Sequence, residues 1–225
     1  MSALIASPTS WISGVLDWLG RLGEDLGELA GNWWFLAVVL AVAIGDSVIP
    51  ILPSETTVII AGVAIATGEA PYPLWLLIVV AAAGAFIGDN IAYEIGRRFS
   101  GRLERRAARK PAFALKLDGA RGQIRKRGGL LLITARFLPG GRTVLTLTCG
   151  ATRQPRRWFM GWDLIAVLIW AAYSAGLAFV IGKPLEDNKS LAFWAAFGTA
   201  LAINIVIEVV RKLRDRRNEP VAVSS

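Results

Sequence analysis

Two short polar breaks in otherwise apolar stretches carry the side chains best suited to chemistry. The first holds two carboxylates, Asp46 and Glu55; the second holds two guanidinium groups, Arg136 and Arg142. A guanidinium fork donates paired hydrogen bonds to phosphate or carboxylate oxygens, so two arginines facing a cavity suit a phosphate anion far better than a cation. Carboxylates opposite them can pair with them or carry a proton. The chain has no histidine, which removes Ser-His-Asp and Cys-His nucleophile pairs, phosphohistidine chemistry and histidine metal sites. A proton handled near neutral pH would therefore ride on a carboxylate, and Asp46 and Glu55 are the candidates. Cys149 is the only cysteine, so an intrachain disulfide, a zinc ribbon and a Cys-x-x-Cys motif are ruled out. It reads as a small apolar filler. No metal or cofactor is expected, and the chain does not read as an enzyme.

The elements that position these charges are set by long apolar runs. The 225 residues are 54% hydrophobic and 19% charged, with a mean hydropathy of +0.50; soluble domains carry nearer a quarter charged residues. Segments 158–181, 191–210 and 73–95 are long enough to span, since a helix rises about 1.5 Å per residue and the hydrocarbon core is roughly 30 Å thick. Two further segments are interrupted. Trp33–Gly45 stops at Asp46, passes Pro50, Pro53, Ser54 and Glu55, and resumes as Thr56–Thr67. Gly129–Ala135 stops at Arg136, passes Pro139, Gly140, Gly141 and Arg142, and resumes as Thr143–Ala151. Each limb covers about half a bilayer. Backbone groups freed by proline and glycine are tolerated at that depth only inside protein or beside water.

Lysine and arginine assign the sides. Residues 97–127 hold twelve of them against two acids, the link 153–157 holds Arg153, Arg156 and Arg157, and 211–217 holds five more. By the positive-inside rule all three are cytoplasmic. Segment 129–151 then begins and ends on the cytoplasmic side and must turn back on itself, while 33–67 begins and ends outside. The expected fold is an all-α polytopic membrane protein. Two oppositely oriented re-entrant hairpins and three spanning helices would form an inverted repeat, the arrangement that places a transporter's site at the bilayer midplane. Residues 33–184 form the membrane domain, with 97–128 as its basic cytoplasmic segment and 185–225 as a last span and basic tail. Residues 1–32 lack the basic start of a signal peptide, their first twenty containing no Lys or Arg. Behind Thr9-Ser10 they read as an amphipathic helix on the external membrane surface, with packing against the rest of the protein as the alternative.

An ionised group at mid-bilayer costs at least a few kcal/mol, so four of them need a reason. Opposed hairpins meeting at mid-depth let the two signs pair. A purely architectural brace is the simpler reading, but buried ion pairs are weak evidence for stability, and a charged substrate gives the set a purpose.

Three stretches then resemble the DedA family of bacterial membrane proteins, also called the VTT or SNARE-associated domain family. They are Asp46-x3-Pro50-x2-Pro53-Ser54-Glu55, Gly88-Asp89-x3-Tyr93-x2-Gly96-Arg97, and Arg136-Phe137-x-Pro139-Gly140-x-Arg142. Gly150, Trp170, Gly176 and Gly182 fit the same pattern, and the resemblance covers about residues 33–184. One departure is Asp46, where the family usually has Glu. The resemblance implies a flippase or scramblase of the bacterial cytoplasmic membrane, moving undecaprenyl phosphate or a phospholipid and linked to proton-motive force. It implies that Asp46 and Glu55 are the essential carboxylates and Arg136 and Arg142 the essential arginines. Gly88, Asp89, Tyr93, Gly96, Arg97 and the prolines look structural.

The competing function is a proton-coupled exporter of small molecules or ions. The basic 97–127 stretch, with only Phe99 and Phe113 as interleaved aromatics, fits anionic lipid headgroups at the cytoplasmic surface better than nucleic acid. A homo-oligomer is compatible with the sequence. Asp163 and Glu208, near cytoplasmic helix ends, read as snorkelling or locally partnered side chains. Trp33, Trp34, Trp75, Trp158, Trp162 and Trp194 read as interfacial anchors.

Overall fold

The computed structural model describes residues 28–49, 54–111, 128–136 and 141–185 without a break, with scattered positions between 115 and 124 and between 187 and 202. Residues 1–27 of the expected N-terminal segment, Pro50, Pro53, Pro139, Gly140, Glu208 and the basic tail lie outside the described residues. The principal elements are helices: α1 (Phe35–Val48), α2 (Ser54–Ala66), α3 (Leu74–Arg109), α4 (Leu130–Ala135), α5 (Gly141–Ala151) and α6 (Arg156–Gly182), the last running into a 3-10 turn at Lys183–Leu185. No strand occurs among the described residues.

Both interrupted stretches are pairs of short helices. α1 and α2 have 14 and 13 residues, α4 and α5 have 6 and 11. At about 1.5 Å per residue none of them covers a roughly 30 Å core. By contrast, α3 and α6 are long and apolar enough to cross a membrane. The span expected at 73–95 runs on without a break to Arg109, because 96–109 is rich in the helix formers Arg, Ala, Leu and Glu. Pro111 then disfavours helical geometry at Lys110. Of the segment expected at 191–210, residues 191–192 and 194–199 are described and helical, with Ala192 and Ala196 fully buried against the main core.

The packing is crossed. α1 lies on α3 and α4 lies on α6, so each first limb rests on the long helix that follows it. α2 lies on α6 and α5 on α3, so each second limb rests on the other long helix. α3 and α6 also pack on each other, completing the centre. The main core joins Val39, Val58, Leu77, Ala81, Ala85, Val167 and Ala171, and a smaller one joins Tyr93, Leu132, Cys149 and Phe159. Cys149 is a fully buried, free thiol that fills space in that second core.

Small residues set how closely α3 approaches its neighbours. A Cβ on Gly88 would stand 2.6 Å from the Ile44 carbonyl oxygen and 2.7 Å from Ser47 Cβ, so only glycine admits α1 at this depth. A Cβ on Gly96 would meet the Leu147 carbonyl of α5 in the same way. Between them Tyr93, fully buried, stacks on Phe159 with ring centroids 4.7 Å apart and donates its hydroxyl to the Gln154 carbonyl at 2.6 Å. Arg97, one residue after Gly96, is exposed.

The tryptophans divide. Trp33, Trp34 and Trp75 are exposed at one end of the helices, as anchors would be. Trp158 and Trp162 pack against the smaller core, and Trp194 packs against the main one. Those three are half-buried, so protein covers part of each ring.

Candidate functional site

The two breaks converge on one charge cluster. Asp46 lies in the last turn of α1 and Arg142 in the first turn of α5. Both positions are electrostatically wrong for an isolated helix, since the C-terminal end is partially negative and the N-terminal end partially positive. Each charge is held by the other: Arg142 Nη2 donates to Asp46 Oδ2 at 2.9 Å. The same Asp46 oxygen accepts a 2.5 Å hydrogen bond from Ser54 Oγ at the start of α2. One carboxylate oxygen therefore ties both limbs of the first hairpin to the second.

Arg136 follows the last turn of α4. Its partner is Asp89 of α3: Nη1 and Nη2 both donate to Asp89 Oδ2, at 2.9 and 2.6 Å. The pair is dry, with side-chain exposures of 2% and 0%, against 13% and 17% for Arg142 and Asp46. Asp89 Oδ1 faces Arg142 Nε at 3.7 Å, so Asp89 bridges the two arginines. Beyond Arg136 lies the Trp170 ring of α6, 5.6 Å from the guanidinium carbon to the ring centroid, which adds a cation–π contact.

Two acids that the sequence did not single out for the site belong to the cluster. Asp89, read from the sequence as a structural motif residue, is the hydrogen-bonded partner of Arg136, whereas Glu55, in the first turn of α2, lies within electrostatic reach of Tyr173. Of the two readings for Asp163, the local partner holds and snorkelling does not: it is 3% exposed and within electrostatic reach of Asp89, Arg136 and Arg142. It sits on the buried α6 stripe Phe159, Asp163, Val167 and Trp170, whose i, i+4, i+8 and i+11 spacing is the signal that points it inward. Among the described residues no group of acids and Cys arranged to hold a metal ion occurs.

Short apolar half-helices, two helices of spanning length and a dry acid–arginine cluster at the junction define a helical membrane protein with a polar centre. The VTT domain model matches residues 49–180, and the chain belongs to that family, the DedA family. It is similar to protein DedA of Escherichia coli strain K12, 25% identical over 207 residues that cover 89% of this chain and 94% of that protein. The inner membrane protein YohD of the same strain is 28% identical over 71% of this chain and 76% of its own length. An uncharacterised membrane protein of Synechocystis is 29% identical over 77% and 79%. No solved structure gives a significant match.

Proposed function

We propose that the protein moves a phosphate-bearing lipid, undecaprenyl phosphate or a phospholipid, between the leaflets of the bacterial cytoplasmic membrane. The observation that carries this reading is the pair of arginines from one broken segment, Arg136 and Arg142, held at the junction of both hairpins by aspartates rather than left to solvent. Guanidinium groups so held can exchange a carboxylate for a phosphate oxygen without a new dehydration step. The N-terminus of α5, which carries Arg142, adds the partial positive charge that suits an anion. In this reading Arg142 receives the headgroup, Arg136 sets the local potential, and Asp46 competes with the lipid for Arg142.

The crossed packing of α1, α2, α4 and α5 on α3 and α6 is what an inverted repeat of two re-entrant hairpins would give. With the basic segments cytoplasmic, the first hairpin opens outward, the second inward, the N-terminus is external and the C-terminus cytoplasmic. The basic continuation of α3 would lie against anionic headgroups. Proton-motive force supplies the drive when protonation of a carboxylate releases an arginine to the lipid.

Purified protein in liposomes with labelled undecaprenyl phosphate or labelled phosphatidylethanolamine tests the proposal. Either lipid should redistribute between leaflets faster than in protein-free vesicles, and Arg142→Ala should abolish the gain. Protein-free rates with both lipids, or an unimpaired Arg142→Ala, would overturn it.

A further inference from the structure

The acids and bases of the cluster do not balance. Asp46, Asp89 and Asp163 contribute three carboxyls, and Arg136 and Arg142 contribute two guanidinium groups that stay charged at any physiological pH. With every group ionised, a largely dry centre would hold one uncompensated negative charge, which burial strongly disfavours.

The surplus is localised by geometry. Asp46 Oδ2 is held by both Arg142 and Ser54, and Asp46 is the most exposed of the three. Asp89 Oδ2 is saturated by Arg136. Its other oxygen, Oδ1, is buried and accepts no hydrogen bond, and Asp163 Oδ2 is likewise buried without one. The Asp163 and Asp89 carboxyl groups are nevertheless within hydrogen-bonding reach of each other. Two carboxylates cannot share that contact, because both only accept; a carboxylic acid and a carboxylate can.

We infer that Asp89 and Asp163 share one proton as an acid–carboxylate pair across the two long helices, and that this pair is the protonatable centre of the cluster. Among the described residues the charged and titratable groups around it come from each neighbouring helix. α1 presents Asp46, α2 presents Glu55 toward Tyr173 farther along α6, and Arg136 follows α4. α5 presents Arg142 and the buried thiol of Cys149. Glu94 lies on α3 beside Arg156 at 3.9 Å, toward the start of α6. The shared proton brings the five-residue cluster to neutrality without a bound ion. Its loss leaves Asp89 and Asp163 both ionised, repelling one another and competing for Arg136 and Arg142. A proton arriving from outside therefore loosens the hold of the aspartates on the arginines, and its departure tightens it.

The role in transport rests on the proposed lipid activity; the proton-sharing pair itself does not, so an assay blind to transport decides it. Infrared spectra of the full chain in liposomes, with aspartate labelled by carbon-13 at the side-chain carboxyl, read protonated carboxyl groups directly. At neutral pH the spectrum should contain a label-sensitive protonated-carboxyl band that Asp163→Asn abolishes. In Asp163→Glu, which keeps the acid, the band should persist but shift, since one partner is then a glutamyl carboxyl. This second variant serves if the first does not fold. Absence of the band from the unsubstituted protein, its full retention in Asp163→Asn, or an unmoved band in Asp163→Glu would overturn the inference. A band with the expected behaviour in a protein that moves no lipid would keep the pair and sink the transport reading alone.

Discussion

Arg136 aims both terminal nitrogens at one oxygen of Asp89, at 2.9 and 2.6 Å, whereas Arg142 reaches Asp46 through a single nitrogen at 2.9 Å. Two arginines six positions apart in sequence thus have unequal tasks. The first is sealed between α3 and the Trp170 ring, and the second lies at the more open edge of the cluster.

Arg136→Ala should therefore destabilise the protein, by about 3–5 kcal/mol, because Asp89 is left as a buried charge without its partner. Arg142→Ala should cost less stability and remove lipid movement. Arg142→Lys should impair movement, since the charge remains but the planar fork does not. Thermal unfolding in detergent, set beside flipping rates, separates the two residues. Equal stability losses would show that the asymmetry has no energetic meaning.

Gly88 tests whether helix approach positions the cluster. Gly88→Ala forces a methyl group against the Ile44 carbonyl and Ser47, which should cost about 1–3 kcal/mol by overpacking and displace the neighbouring Asp89. Gly101→Ala, on the same helix with open space around it, should be neutral or stabilising by up to about 1 kcal/mol. Similar unfolding midpoints for the two variants would contradict the close-approach argument.

Tyr72, between α2 and α3, donates its hydroxyl to the Ala30 carbonyl at 2.8 Å and is 2% exposed. Burial pushes its pKa from 10.0 up to about 12. The folded chain then keeps a phenolic proton that the unfolded chain releases, so this contribution to stability is constant below about pH 10 and is lost as pH rises toward 12. Tyr72→Phe should remove that alkaline decline, and should cost about 1–3 kcal/mol at neutral pH by leaving a buried carbonyl unsatisfied. Unfolding midpoints followed into the alkaline range would check both.

Much of the architecture is legible from apolar run length alone. The breaks at Asp46–Glu55 and Arg136–Arg142 fall where α1, α2, α4 and α5 begin and end, because charge and proline or glycine coincide there. The cluster is legible only in part. A charge beside a break is conspicuous, and Asp46 and Arg142 could be matched by opposite sign. Asp89 and Asp163 sit inside unbroken helices, where one acid among apolar residues has no local signature of its partner. Their meeting depends on which face of α3 turns toward α6, where small residues of the two helices such as Ala81, Ala85 and Ala171 share one core, and no local pattern in either helix names its partner.

Topology gives a prediction independent of lipid chemistry. On a Cys149→Ala background, Gln154→Cys and Lys126→Cys should both react with thiol reagents from the cytoplasmic side, because basic segments flank both ends of the second broken stretch. External labelling at 154 with internal labelling at 126 would make that stretch an ordinary span and end the inverted-repeat reading.

Asp46 gives the sharpest prediction about substrate exchange. Its carboxylate holds Arg142 and is itself held by Ser54, so it acts as the internal anion that a lipid phosphate must displace. Asp46→Asn keeps the volume and the contact with Ser54 but removes the competing charge. Among the described residues Arg142 then keeps no hydrogen-bonded carboxylate, with Asp89 Oδ1 at 3.7 Å as its remaining ion pair. Binding of a labelled phosphate-bearing lipid should strengthen by about tenfold, equivalent to about 1.4 kcal/mol. The rate of movement between leaflets should fall, because the step that returns Arg142 to Asp46 and expels the headgroup is lost. Tighter binding with slower transport separates competition from bracing. A brace would yield when its charge is removed, lowering binding and stability together. If Asp46→Asn binds lipid no more tightly than the unsubstituted chain, Asp46 does not compete with the headgroup, and the exchange step proposed for Arg142 is wrong.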